Sequence, residues 1–169
     1  MARSGMARSR SQAAPGTPAT VALTAAGIPF TPRAYAHDAS VTAYGLEAAA
    51  ALDVEPERVF KTLLAEADGR LVVGVVPVSS LLDLKALAAA VGAKRAAMAA
   101  PQLAERKTGY VVGGISPIGQ KTALPTVVDE TALLWETVLV SGGRRGFDLE
   151  LAPADLLRAT GGVLGDIAR

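Results

Sequence analysis

Along the chain, apolar residues fall into short runs whose spacing keeps changing. From Pro18 they recur at helical intervals as far as Gly27. Thr17 stands where a capping hydroxyl is needed, and proline takes the first helical position. Ile28 to Tyr35 reads as an edge strand, because Pro29 and Pro32 cannot donate to a central ladder. A helix capped by Thr42 is expected through Leu52. "VFKTLLAE" and "RLVVGVVPV" then flank Ala67-Asp68-Gly69, where the Asp-Gly pair predicts a tight hairpin.

"LDLKALAAAVG" returns to helical spacing and stops at Gly92. "KRAAM" reads as a short strand and "PQLAERKTG" as a short helix opened by Pro101. "PTVVD" and "TVLVS" read as strands on either side of a helical segment around Leu133-Leu134-Trp135. Gly142-Gly143 is expected to turn the chain into a last strand, "FDLEL", and "PADLLRATGG" to end the fold as a helix capped at Gly161. Strands and helices alternate irregularly, with hairpins between them. This predicts an α/β chain of α+β character, a mixed barrel-like sheet surrounded by helices, rather than a regular doubly wound sheet.

One stretch does not fit either period. "TGYVVGGISPIGQK", Thr108 to Lys121, holds Gly109, Gly113, Gly114 and Gly119 with almost no charge. Glycine is kept where the chain needs positive φ or where something approaches the backbone closely. The stretch is therefore either a strand ending in tight turns or a loop whose bare amides face a ligand.

Composition narrows the chemistry. At 169 residues the chain is most simply one domain, and half its residues are hydrophobic, many of them alanine. No run approaches the roughly 20 apolar residues that cross a bilayer. With no cysteine there is no disulfide, thiolate metal site or cysteine nucleophile. A soluble cytoplasmic protein is expected. A basic, disordered tail is drawn over residues 1–19 and one domain over 20–169. The tail carries three of the 17 basic residues and no acid, leaving 14 basic against 16 acidic in the body. A strongly cationic protein that coats nucleic acid is disfavoured, although a local basic patch is compatible with that balance. Lys94-Arg95, Arg106-Lys107, Lys121 and Arg144-Arg145 are the candidates for one.

The single histidine, His37, leaves few catalytic constellations. A serine triad would need His37 with Ser116 or Ser141, yet His37 falls between predicted elements, where an ordinary surface position is expected. No carboxylate pair has metal-ligand spacing, and no metal or cofactor is expected. The phosphate-binding glycine patterns are absent: Gln120 stands where a Walker lysine belongs. Lys61 is more suggestive, since it interrupts the apolar strand "VFKTLL". It is either a solvent-facing residue or an ammonium held in a sheet-lined cleft. Asp148 alternates with Phe147 and Leu149 in the same manner.

"VFKTLL", "LDLKALAAAVGAK", "TGYVVGGISPIGQK" and "SGGRRGFDLEL", in this order, resemble the YbaK/EbsC family of aminoacyl-tRNA deacylases. The likeness is to the YbaK type acting on Cys-tRNA(Pro), and it runs from about Thr20 to the C-terminus. The resemblance implies the barrel-like fold of the prolyl-tRNA synthetase editing domain. It places the family's lysine on Lys61, followed by Thr62, and its glycine loop on Gly113, Gly114 and Ser116. Ser141 and Asp148 match its third motif, and Tyr35 and Tyr44 its pocket aromatics; Tyr44 departs from a common phenylalanine. Lys61, Gly113, Gly114 and Asp148 are the implied catalytic residues, with Tyr35, Tyr44, Thr62, Ser116 and Ser141 binding substrate.

The resemblance further implies cleavage by the substrate cysteine's own sulfur, so that the protein supplies no nucleophile. Gly113 and Gly114 would then be bare so that the ester reaches their amides. Implied partners are Cys-tRNA(Pro) and prolyl-tRNA synthetase, with no DNA or membrane. The same fold with another specificity, such as alanine, and a non-catalytic tRNA- or nucleotide-binding module remain the alternatives.

Overall fold

In the computed structural model, residues 16–169 are described, and most of the expected tail lies outside them. Helix α1 (Pro18–Ala26) opens on Thr17, whose hydroxyl accepts from the Thr20 amide, and closes on Gly27 at φ 66°. Thr17, Pro18 and Ala19 thus belong to the folded body, on the other side of the boundary drawn at residue 20. The Thr17 hydroxyl also donates to the Gly142 carbonyl at 2.6 Å, fixing the helix to a distant strand.

Two sheets form the framework. Strands β1 (Thr31–Ala34), β6 (Val138–Arg144) and β7 (Phe147–Leu151) make an antiparallel sheet in the order β1-β7-β6. Pro32 lies on its edge, as the missing amide requires. The other strands are β2 (Phe60–Ala67), β3 (Arg70–Pro77), β4 (Ala96–Met98), β5 (Thr126–Asp129) and β8 (Val163–Gly165). They form a mixed sheet in the order β4-β2-β3-β5-β8. β2 and β3 are the expected hairpin: Asp68 and Gly69 both take positive φ, which matches the twist of the flanking strands.

The main core lies between the sheets. Phe60 and Leu64 of β2 and Val73 and Val75 of β3 meet Val138, Val140, Phe147, Leu149 and Leu151 of the smaller sheet, with Leu23 of α1 and Leu156 closing the layer. Alternate residues on the other face of the large sheet, including Ala65, Val72 and Val76, pack beneath Leu87 of α3 (Leu84–Ala90). A third cluster places α2 (Tyr44–Leu52) over Val59, Val78 and Leu139 through Ala48 and Ala49. Each fully buried large aliphatic side chain contributes about 1.5–3 kcal/mol, so burial on both faces accounts for the unbroken apolar run of β3.

Helices α4 (Pro101–Thr108) and α5 (Pro153–Thr160) open on proline and close on Gly109 and Gly161, as expected. Three expectations change. Helix α2 starts after Ala43, with no side-chain cap, so Thr42 does not cap it. The turn into β7 is Arg145-Gly146; Gly142 and Gly143 lie within β6 at a register shift, where added Cβ atoms would strike Phe147 and Tyr110. The fold also continues past α5. β8 pairs in parallel with β5, and buried Ile167 is held through its amide by the Asp129 carboxylate at 3.0 Å.

Candidate active site

Among the described residues, Val59, just before β2, makes one isolated parallel bridge to Leu139 of β6. Beyond it the two strands part. β6 continues with β7, and β2 acquires its outer neighbour β4 only from Ala65 onward. The opening is a cavity of about 440 Å³. Lys61 and Thr62 enter from β2, Ser141 from β6 and Asp148 from β7. Tyr35 enters from the end of β1, Tyr44 from the start of α2, and Gly113 from the glycine loop. Seven of the nine residues singled out in the sequence therefore share one wall or another of this space. Gly114 and Ser116 do not line it.

The glycine stretch is a loop without strand pairing. Gly113 has φ 87°, and an added Cβ would lie 2.8 Å from the Tyr44 ring and 2.9 Å from Arg145 Nε. Gly114 packs on the β6–β7 turn, where a Cβ would come within 2.7 Å of the Arg144 Cα. Its amide donates to the Val111 carbonyl at 2.8 Å. Both glycines are thus accounted for by close packing within the protein. Ser116 is fully buried; its hydroxyl accepts from the Ile118 amide at 3.2 Å and shapes the loop.

Arg145 ties the loop down. Its Nε and Nη2 donate to the Val112 carbonyl at 3.0 and 2.7 Å, while the guanidinium stacks 4.7 Å from the Tyr44 ring centre. Glu105 of α4 accepts from the Val112 amide. In the sequence Arg145 is a candidate for a basic patch; its contact with a residue 101 positions earlier is a product of the fold.

The polar groups of the cavity are under-partnered. Lys61 forms no ion pair among the described residues, and partial burial lowers its ammonium below the ordinary lysine range. Thr62 Oγ1 is buried without a hydrogen-bond partner. Asp148 is only 5% exposed, and no described residue hydrogen-bonds its carboxylate. Burial raises its pKa to about 7, against a smaller opposing pull from Arg33. Burial, with the Asp148 charge second, pushes the Tyr35 phenol up to about 12. Ser141 stands opposite Asp148 across the β6–β7 ladder, and its Oγ accepts from the Gly143 amide at 3.2 Å. Buried polar groups normally find partners within the fold, so an ammonium without an ion pair and a buried carboxyl without a hydrogen bond in one cavity are the groups available to a polar ligand.

His37 does not join this set. Its Nδ1 lies 2.6 Å from Glu47 Oε1, and its side chain is largely covered rather than at the open surface. Among the described residues no group of three or more histidines and carboxylates is placed to hold a metal ion.

The aminoacyl-tRNA editing domain matches residues 40–159, which include every cavity residue named above except Tyr35. The chain belongs to this family. It is 42% identical over 120 residues to the Enterococcus faecalis protein named "Putative Cys-tRNA(Pro)/Cys-tRNA(Cys) deacylase EbsC", covering 70% of this chain and 73% of that protein. It is 30% identical over 98 residues to the proline–tRNA ligase of Moorella thermoacetica, of which it covers 17%. A crystal structure of "a putative trans-editing enzyme for prolyl tRNA synthetase" superposes with a TM-score of 0.77 at 27% identity, covering 90% of this chain and 95% of that one. The mixed architecture and the likeness read from the four motifs agree with these matches. No helix among the described residues is long and apolar enough to cross a membrane.

Proposed function

We propose that the protein is a trans-editing deacylase that removes cysteine from mischarged Cys-tRNA(Pro), with the substrate's own thiol as the nucleophile. The observation that carries this reading is the make-up of the cavity. It presents an ammonium without an ion pair and a buried carboxyl, and among the described residues no histidine lines it. Such a site suits holding and polarising an ester better than attacking one.

In the proposed reaction the cysteine sulfur forms a bond to the ester carbonyl carbon, and the carbon–oxygen bond to the terminal ribose breaks. The thiol proton passes to the departing ribose oxygen, leaving free tRNA and a cyclic thiolactone. Orientation for intramolecular attack supplies on the order of 7–11 kcal/mol in favourable cases. A fixed donor aimed at the developing oxyanion is worth roughly 3–4 kcal/mol. The Gly113 amide is the proposed donor from the loop, since that of Gly114 is already bonded. Lys61 anchors the terminal adenosine or its phosphate. Asp148, with Ser141, receives the amino group of the aminoacyl ester, and Thr62 takes a substrate hydroxyl or amine. Tyr35 and Tyr44 supply aromatic walls.

The tRNA body meets Arg106, Lys107 and Lys121 at the end of α4 and Arg144 and Arg145 at the hairpin, through its phosphates. Prolyl-tRNA synthetase is the proposed source of the mischarged tRNA in the cytoplasm. Deacylation of tRNA(Pro) charged in turn with cysteine, alanine, serine and proline tests the assignment. Selective loss of cysteine supports it. Preferential loss of alanine transfers the site to another specificity, and no turnover even with the synthetase present leaves a binding module.

A further inference from the structure

The two arginines behind the cavity are arranged unexpectedly. Arg33 stands directly opposite Asp148 in the β1–β7 ladder, on the same face of the sheet. Directly paired residues are the nearest cross-strand neighbours, and an arginine facing a buried carboxylate ordinarily forms a salt bridge with it. Here the guanidinium instead reaches along the strand to Glu150, opposite Thr31, with Nη1 2.5 Å from Oε1. The other oxygen of Glu150 is held at 2.6 Å by both Arg58 Nη2 and the Thr137 hydroxyl. Arg58 in turn donates through Nε to the Thr137 carbonyl at 2.8 Å, and Arg33 Nη2 reaches the Leu52 carbonyl at 3.4 Å. Glu150 is thus a fixed acceptor that occupies Arg33.

We propose that Glu150 is a positioning residue: by holding Arg33 it keeps the Asp148 carboxyl unpaired and open to the charged amino group of the substrate. The inference rests on the role given to Asp148 above. An Arg33–Asp148 bond would neutralise the only carboxylate that lines the cavity among the described residues, and would fill its acceptor positions. The groups around Asp148 are Arg33 of β1, Tyr35 just after that strand and Ser141 of β6, with Lys61 of β2 lining the same cavity. The Glu47 charge of α2 contributes to raising the Tyr35 phenol. Of these only Arg33 combines a full positive charge with a register position opposite the carboxyl, and only Glu150 bonds it through a carboxylate. Burial raises the Asp148 pKa to about 7, and Arg33 opposes that rise only in part.

The test is Glu150→Gln, whose amide oxygen retains an acceptor for Arg58 and Thr137. The carbon-13 resonance of the Asp148 carboxyl is titrated in wild type and variant, alongside the pH profile of kcat/KM. The expected result is an Asp148 midpoint lower by about one unit or more, as for a carboxyl gaining an adjacent arginine. KM rises several-fold and the acidic limb of the profile moves with the titration. Adding Arg33→Met to the variant removes the competing cation and restores the wild-type midpoint and KM. An unchanged Asp148 midpoint in folded Glu150→Gln overturns the proposal. The resonance is read without turnover, so it tests the arrangement separately from the deacylase assignment. A shifted midpoint with unchanged KM retains the Arg33–Glu150 device but removes its link to substrate.

Discussion

Gly113 lies against the Tyr44 ring so closely that a methyl group in place of its hydrogen would stand 2.8 Å from Cδ2 and Cε2. The glycine loop and the start of α2 therefore meet at the cavity through a contact that only a residue without Cβ permits. The left-handed φ of 87° adds a conformational reason for glycine.

Gly113→Ala is expected to lose about 1–2 kcal/mol from the backbone conformation alone, before the clash is counted. Displacing Tyr44 also disturbs Arg145 stacked upon it, so deacylation falls further than stability does. Thermal unfolding and kcat/KM measured together check this. An alanine variant with wild-type activity would show that the loop does not shape the site.

Lys61→Ala is expected to lower kcat/KM by at least about 100-fold, the scale of one lost oriented charge in a low-dielectric site. The melting temperature should hold. Burial lowers the folded pKa of this lysine, so below that pKa its charge opposes folding, and its removal costs no electrostatic stability at pH 7. A folded, fully active Lys61→Ala protein contradicts the role given to it.

Thr62→Val separates function from stability in the opposite direction. An unbonded buried hydroxyl carries a desolvation cost of about 1–3 kcal/mol, and valine has nearly the same shape without it. The variant should melt at or above the wild-type temperature while losing activity. A drop in melting temperature would indicate that the hydroxyl is bonded within the fold.

Asp148 gives a pH dependence whose sign follows from its raised pKa. The folded protein binds this proton more tightly than the unfolded chain does. Stability therefore falls as pH rises from about 4 to about 7 and is flat beyond, to an upper bound of about 4 kcal/mol. Asp148→Asn should flatten that slope and raise the melting temperature at pH 8. Denaturant unfolding between pH 4 and 8 checks the difference. Activity should move the other way, increasing in the wild type as the carboxyl ionises to meet the substrate amine.

The parts of the fold legible in the sequence were those set by local chemistry. Asp68-Gly69 demanded a hairpin, Pro101 and Gly109 bounded a helix, and Pro32 assigned an edge. β8 is not legible, because Val163, Leu164 and Gly165 follow two glycines and are too few to show a period. Gly142-Gly143 reads locally as the turn into β7, three residues before the actual one at Arg145-Gly146: both glycines are required by Phe147 and Tyr110, partners that a local reading does not see. In the site, Lys61 and Asp148 were visible as charges interrupting apolar strands. The unbonded state of Thr62, the commitment of the Gly114 amide and the capture of Arg33 by a glutamate 117 residues away exist only after folding.

The claim that the substrate supplies the nucleophile is tested most directly by comparing single-turnover cleavage of Cys-tRNA(Pro) with that of the same tRNA carrying S-methylcysteine. The two esters differ by one methyl group on sulfur, and only one can form a thiolactone. Cleavage of the cysteinyl ester, with the methylated ester slower by at least about 100-fold, is the predicted result. Equal rates on the two would contradict the mechanism and require a nucleophile from the protein or from water.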